Sequence, residues 1–107
     1  MSVMSQEDRA DFAQFLGAYW HDRPETDDEI VEEYVTENHP EAIIHNYELL
    51  SQFLESDEST SSKSKFIRRE VWWYFPPDDD QAPITWLEGI REKMREKIAE
   101  HGIEPNP

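Results

Sequence analysis

Apolar residues in the first half of the chain recur every three or four positions, the spacing that places side chains on one face of an α-helix. Three such runs are present: Phe12, Phe15, Leu16 and Tyr19; Ile30, Val31, Tyr34 and Val35; and Ile43, Tyr47, Leu50 and Leu54. Polar and acidic residues fill most of the positions between them. This pattern predicts three amphipathic helices, each with one face directed at a shared core.

Local residues mark where these helices begin. Ser5 stands three residues before Asp8, and Thr26 stands three residues before Glu29. In this arrangement a side-chain oxygen caps the start of a helix and the acidic residue bonds back to the cap. Pro40 suits the first turn of the third helix, because its missing N–H needs no partner there.

The middle of the chain allows more than one interpretation. Residues 56–64 are polar and serine-rich, so we expect a flexible connection that buries little. The apolar positions of residues 66–75 fit one helical face, while the continuous run over 71–75 also fits a short buried strand. We favour a helix that ends before Pro76.

A last helix is predicted after an acidic turn at residues 78–80. Thr85 stands three residues before Glu88 in another capping pattern, and Gly102 is suited to the end of the helix. The apolar positions between them are Leu87, Ile90, Met94 and Ile98. Acidic and basic residues alternate on the remaining surface, which predicts ion pairs within this helix. Residues 103–107 should form a frayed tail.

Together these segments predict an all-α fold, a single small domain of four to five helices over residues 1–107. A length of 107 residues lies near the commonest domain size. The chain contains no cysteine, which excludes disulfides and thiolate metal sites. The first residues carry neither the basic nor the apolar run of a secretory signal, so a cytoplasmic location is expected.

The charge of the chain is strongly negative and unevenly spread. With 25 acidic against 10 basic residues the formal net charge is −15, and residues 1–62 hold 16 acidic and only 2 basic side chains. Such a field repels phosphates and anionic membranes and attracts basic protein surfaces. We therefore expect a basic protein partner and no direct binding of nucleic acid or membrane, although solubility alone also explains an acidic surface.

No catalytic or metal-binding constellation is visible in the sequence. The four histidines lack the spacing of metal ligands, and the acidic turn lacks the alternating ligands of a calcium loop. With only three glycines, the chain has no glycine-rich phosphate-binding loop. We expect no cofactor, no bound metal and no enzymatic activity.

Aromatic residues gather just before the acidic turn. Trp72 and Trp73 are adjacent, so a helix cannot direct both at the core, and one of them should lie near the surface. Tyr74 and Phe75 follow directly. Aromatic side chains beside acids are typical of the centres of tight interfaces, and core packing is the competing explanation.

The segment from Phe15 to Asp22 and the acidic segment from Glu29 to Val35 resemble the opening of the immunity proteins of bacterial contact-dependent growth inhibition systems. The Trp-Leu pair that follows Thr85 resembles the start of their closing helix, and the likeness spans about residues 12–98. A weaker likeness to the colicin nuclease immunity proteins comes from the aromatic pair before Pro76 and from the acidic turn.

These resemblances imply a non-catalytic inhibitor, free as a monomer or bound one to one, that covers the active surface of a cognate toxin domain, often a basic nuclease. The acidic field agrees with such a partner. The toxin-binding residues would then be Asp22, Asp27, Asp28, Glu32, Glu33, Glu37, Trp72, Trp73, Tyr74, Phe75, Asp78 and Asp79. The alternative is an acidic regulatory or antitoxin-like adaptor that binds a basic protein without blocking an active site.

Overall fold

The computed structural model describes residues 4–20, 25–71 and 75–103. They form five α-helices, α1 (Gln6–Trp20), α2 (Asp27–Glu37), α3 (Pro40–Glu55), α4 (Thr60–Glu70) and α5 (Gln81–Glu100). These described parts of the chain contain no strand. The prediction of a single small all-α domain is confirmed.

The first two helices begin at the predicted caps. The Asp8 backbone N–H donates to Ser5 Oγ at 3.1 Å. Thr26 and Glu29 form a complete capping box, in which the Glu29 N–H donates to Thr26 Oγ1 at 3.2 Å and the Thr26 N–H donates to Glu29 Oε1 at 3.1 Å. Local sequence determines both starts, because each cap satisfies N–H groups that the first helical turn leaves unpaired.

The third helix begins at Pro40 as predicted, but its buried face is broader than the pattern indicated. The buried residues are Ile43, Leu49, Leu50 and Phe53. Tyr47 and Leu54, predicted on the same face, lie at its border and are only partly buried. The reason is that α3 packs against α1 on one side and α5 on another, so residues between the two contacts are covered as well.

The polar stretch over residues 56–64 is not a connection throughout, because α4 begins at Thr60. The Ser59 hydroxyl caps this helix by accepting a hydrogen bond from the Ser62 N–H at 3.1 Å. Ser64 is fully buried and accepts a hydrogen bond from Arg68 Nε at 3.2 Å. The prediction is therefore wrong for residues 60–64, since serine also serves as a helix cap and as a small buried side chain.

The ambiguous segment that follows is helical over residues 66–70, which confirms the favoured interpretation for this part. Val71 then adopts an extended conformation and ends α4, well before Pro76. Residues 72–74, for which helix and strand were both considered, lie outside the described residues.

The predicted start of the last helix is wrong, because α5 begins at Gln81, one turn before Thr85. Asp79 caps it instead, since its Oδ1 accepts hydrogen bonds from the backbone N–H groups of Gln81 and Ala82 at 3.0 and 3.1 Å. Pro83 is accommodated in the first turn, where the backbone N–H groups have no partner within the helix. Thr85 therefore lies inside α5.

The end of α5 is the predicted one. Gly102 has a φ of +70°, which only glycine adopts without strain. Its N–H donates to the Ala99 carbonyl at 3.1 Å, and the Ile103 N–H donates to the Ile98 carbonyl at 3.0 Å. This pair of bonds is a Schellman motif. Ile103, expected to begin a frayed tail, is held by it, and residues 104–107 lie outside the described part of the chain.

The helices pack with α5 at the centre, in contact with α2, α3 and α4, while α1 lies against α3 and α4. Phe12, Phe53 and Phe66 meet where α1, α3 and α4 converge, with ring centroids between 5.0 and 5.8 Å apart. On α2, Asp28 faces α5, while Tyr34 faces α1 and α3. These two borders of α2 position the charged and polar groups considered next.

Candidate functional site

Three aromatic rings lead from the core to the surface between α1 and α5. Trp20 is fully buried, and its ring centroid lies 5.7 Å from that of Trp86 in an edge-to-face contact. Trp86 makes a second such contact with Phe75, at 5.8 Å. Trp86 and Phe75 are both partly exposed. We call the surface formed by Asp27, Trp86 and residues 75–79 the aromatic edge.

The carboxylate of Asp27, the first residue of α2, connects two of these rings. Trp20 Nε1 donates to its Oδ1 at 3.1 Å, and Trp86 Nε1 donates to its Oδ2 at 3.0 Å. The Asp27 side chain is partly buried, and both of its oxygens are engaged. Asp27, predicted as a toxin-binding residue, therefore holds the aromatic edge in place.

Arg68 of α4 holds the segment that carries Phe75. Its Nη2 donates to the carbonyls of Pro76 and Asp79 at 2.6 and 2.9 Å, and its Nη1 donates to the Phe75 carbonyl at 3.4 Å. The guanidinium also lies over the Phe75 ring, 5.8 Å from its centroid. One cation thus fixes three backbone carbonyls and one ring, because the guanidinium presents its donors in a rigid plane.

The two predicted acidic residues of the turn differ in what they do. Asp79 uses its carboxylate to cap α5. Asp78 lies in the turn closed by the hydrogen bond from the Asp79 N–H to the Pro76 carbonyl at 3.2 Å, and its side chain is exposed. Within the described parts of the chain, Asp78 makes no hydrogen bond or ion pair, so its charge is available to a partner.

Basic side chains of α5 reach across to α2. Lys93 Nζ lies 2.8 Å from Asp28 Oδ1, and Lys97 Nζ lies 3.2 Å from Glu32 Oε1. His101 Nε2 lies 2.6 Å from Glu32 Oε2. We call these contacts the α2–α5 ion-pair strip. Asp28 and Glu32, predicted as toxin-binding residues, are therefore paired within the protein.

Pairing shifts the pKa values of these groups. The hydrogen bond from Lys93 lowers the pKa of Asp28, and hydrogen bonds from His101 and Lys97 lower the pKa of Glu32. The same bonds raise the pKa values of Lys93 and Lys97. Each shift favours the charged form, so the two carboxylates and the two ammonium groups offset one another at neutral pH.

The other two predicted charges of α2 lie elsewhere. Residues 33 and 37 are displaced from residues 28 and 32 by roughly 140° around the helix at 3.6 residues per turn. Glu33 is partly buried, while Glu37 is exposed and has no ion pair among the described residues. Within α5 the predicted local pairing is present between Glu92 and Arg95.

The structure brings only part of the predicted site together. Asp27 and Phe75 meet at Trp86, and Asp78 follows in the same turn. Four predicted residues lie outside the described parts of the chain, and their roles stay predictions: Asp22, Trp72, Trp73 and Tyr74.

Trp86 of the aromatic edge and Arg68, which holds residues 75–79, were missed as site residues from sequence. Trp86 could have been noticed as an aromatic residue beside the apolar stripe of the last helix. Nothing in the sequence marks Arg68, because its partners are backbone carbonyls beyond the end of α4, those of Phe75, Pro76 and Asp79.

The surface offers no sign of metal chemistry in the described residues, where no group of three or more histidine, aspartate or glutamate side chains is placed to hold an ion. No helix over those same residues has the length and apolarity needed to cross a bilayer. The edge instead combines partly exposed aromatic rings with an available carboxylate, a combination suited to contact with another protein.

Fold and surface define a small, acidic, helical protein of the kind that binds another protein. The family model described as "CdiI immunity protein" matches residues 10–94, which is more than half of the chain. The protein therefore belongs to the family of CdiI immunity proteins, the toxin-neutralising partners in contact-dependent growth inhibition, and the resemblance seen in the sequence is confirmed. Neither the curated proteins nor the solved structures gave a match.

Proposed function

We propose that the protein acts in the cytoplasm by binding the basic nuclease domain of its cognate toxin one to one and covering the surface that holds the nucleic acid. The observation that carries this proposal is the aromatic edge, where two partly exposed rings are fixed beside an available carboxylate. Aromatic side chains that are rigid before binding are the usual energetic centres of protein interfaces.

The charge of the chain supports a nuclease as the target. A nuclease needs a basic surface to hold phosphates, and a protein with a net charge of −15 is attracted by the same field. The charges of the α2–α5 ion-pair strip offset one another, so local attraction falls to carboxylates outside it. Asp78 is such a carboxylate within the aromatic edge.

The rigidity of the edge also supports the proposal. Arg68 fixes the backbone around Phe75, and Asp27 fixes the ring of Trp86. Side chains that are already ordered lose little conformational entropy on binding, whereas each mobile side chain costs about 0.5–1.5 kcal/mol. The edge can therefore give tight binding from a small area.

The test uses the purified cognate toxin domain. We expect one equivalent of the protein to abolish nucleic acid cleavage, as measured by gel electrophoresis of the products. Asp78→Lys should weaken binding by at least about tenfold, or about 1.4 kcal/mol, as measured by surface plasmon resonance. Asp57→Lys is the matched control, because Asp57 is exposed and its substitution makes the same charge change. Asp57 lies just before the start of α4, whereas Asp78 lies beyond the end of α4.

Each part of the proposal would be contradicted by a different experimental result. Equal weakening by Asp78→Lys and Asp57→Lys would show that the aromatic edge is not the contact surface. A bound toxin that still cleaves its substrate would favour the adaptor alternative over occlusion. A toxin domain that is neutralised but cleaves no nucleic acid would refute the nuclease target and leave immunity standing.

A further inference from the structure

A pocket of about 220 Å³, lined by both apolar and polar side chains, opens where α1, α2 and α3 meet, at the end of α2 opposite to Asp27. Its polar lining includes Asp11, Gln14, Tyr19, Asn38, His45 and Asn46. Small-molecule sites usually measure about 300–1,000 Å³, so this pocket suits a single side chain better than a metabolite.

The buried hydroxyl of Tyr34 determines how the side-chain amide of Asn46 is oriented in the pocket. Tyr34 is 1% exposed, and its hydroxyl donates its single hydrogen to the Ala42 carbonyl at 3.2 Å. The contact of 2.7 Å with Asn46 must then be donated by Asn46 Nδ2. Burial raises the pKa of Tyr34 to about 12, so the hydroxyl keeps this hydrogen at neutral pH.

Asn38 is oriented by a second fixed acceptor. Its Nδ2 donates to the Tyr34 carbonyl at 2.9 Å and to the Tyr19 hydroxyl at 2.8 Å. A carbonyl only accepts, so the amide cannot be turned the other way. Both amide hydrogens of Asn38 are used within the protein, and its Oδ1 points away from these partners.

The two amide oxygens are therefore left as acceptors. Neither Asn38 Oδ1 nor Asn46 Oδ1 accepts a hydrogen bond from the described residues. Every fully buried side-chain nitrogen or oxygen in that part of the chain has a partner, so these oxygens must be accessible to solvent. The carboxylate of Asp11, 58% exposed, adds a charge to the pocket.

The electrostatic surroundings favour a cation. The pocket lies at the C-terminal end of α2, where the unpaired carbonyls carry partial negative charge, and the last turn of α2 holds no basic residue. Glu37 precedes Asn38 and has no ion pair among the described residues. Among the described lining residues the basic group is His45, whose Nε2 lies 3.7 Å from Asp11 Oδ2.

We infer that this pocket receives the guanidinium group of an arginine side chain on the toxin. Arginine carries five N–H donors and no acceptor, which complements the two amide oxygens and the carboxylate found among the lining residues. The inference rests on the proposed function in taking the toxin as the source of the arginine. It adds a contact at the end of α2 that the aromatic edge does not occupy.

The pocket is tested first with a small probe. N-acetylarginine amide is titrated into the protein and the side-chain amide signals of Asn38 and Asn46 are followed by two-dimensional NMR. We expect saturable shifts with this probe and none with N-acetylcitrulline amide, which has the same shape without the charge. In Asp11→Asn the shifts should need about tenfold more probe, since charge-assisted hydrogen bonds are about twice as strong as neutral ones. Asp57→Asn, an exposed site away from the pocket, should behave as wild type.

The toxin itself is the second arm. Asp11→Asn should weaken the toxin complex by about tenfold, while Asp57→Asn should leave it unchanged. Absent or charge-independent probe shifts overturn the pocket without affecting the proposed function. Probe binding with unchanged toxin affinity overturns the assignment of the arginine to the toxin. A wild-type protein that does not bind the toxin overturns the proposed function and this assignment together, whatever the probe does.

Discussion

Replacing Asp27 with alanine removes the acceptor that connects α1, α2 and α5. Its two carboxylate oxygens accept hydrogen bonds from the indole N–H groups of Trp20 and Trp86 at 3.1 and 3.0 Å. Trp20 is fully buried, so its N–H would find no water after the substitution. Trp86 is partly exposed, so its N–H could be rehydrated.

The size of the loss follows from this difference in burial. A buried donor left without a partner costs about 1–3 kcal/mol, and a hydrogen bond to a charged group contributes about 1.5–3 kcal/mol. We count the unpaired N–H of Trp20 over the whole range of about 1–3 kcal/mol and the N–H of Trp86 at the lower end of that range. We therefore expect Asp27→Ala to lower the free energy of unfolding by about 2–4 kcal/mol. For a domain of this size the melting temperature should fall by about 10–20 °C.

The assay is thermal unfolding followed by circular dichroism, with Asp28→Ala as the matched control. Asp28 is the next residue, carries the same charge and is 69% exposed, so its removal should change the melting temperature far less. A double-mutant cycle with Trp86→Phe isolates the contact, because Asp27→Ala should cost less once the Trp86 N–H is absent. Equal melting temperatures for Asp27→Ala and Asp28→Ala would falsify the structural role given to Asp27.

Two further predictions concern Tyr34 and two glycines, one within α5 and one just after its end. Tyr34 has a pKa raised to about 12 from an ordinary value of 10, so its neutral form stabilises the fold below pH 10 and this contribution is lost as the pH rises toward 12. Urea unfolding should therefore show a stability gap between wild type and Tyr34→Phe that narrows over this range, and a constant gap would contradict the assignment. Gly102→Ala places a side chain at a φ of +70° and should destabilise the protein by about 1–2 kcal/mol. Gly89→Ala, in the exposed helix interior with no atom within 4 Å of the added carbon, should stabilise it by about 1 kcal/mol, and two changes of the same sign in urea unfolding would refute this reasoning.

The parts of the fold that were predictable from sequence are those that depend on neighbouring residues. The capping box of Thr26 and Glu29 forms between residues three apart, and Gly102 ends α5 through bonds to the preceding turn. The start of α5 was missed because Asp79 and Thr85 both offer a cap. In the structure the carboxylate of Asp79 forms the cap, and Arg68 of another helix bonds the Asp79 carbonyl.

The candidate site was predictable in kind but not in detail. The sequence indicated acidic and aromatic residues as the contact groups, and Phe75 and Asp78 lie on the surface where such contacts are possible. It could not show that Lys93 and Lys97 of α5 pair with α2, because these partners are 65 positions apart and meet only after the helices pack. The same holds for Asp27, whose second partner Trp86 is 59 positions away.

Some carboxylates of α2 are paired with basic residues of α5. A carboxylate can therefore contribute to the attraction of a partner before contact without being available to bind that partner at contact. Before contact, a partner that approaches to within the Debye length of about 8 Å experiences the combined field of the surface charges, to which every carboxylate contributes whether or not it is paired, while salt screens this field at larger distances. At contact, a paired carboxylate such as Asp28 must give up Lys93 before it can bind a basic group, whereas Asp78 has no such partner among the described residues. Charge reversal at either position should therefore slow association to a similar degree, while only reversal at Asp78 should speed dissociation.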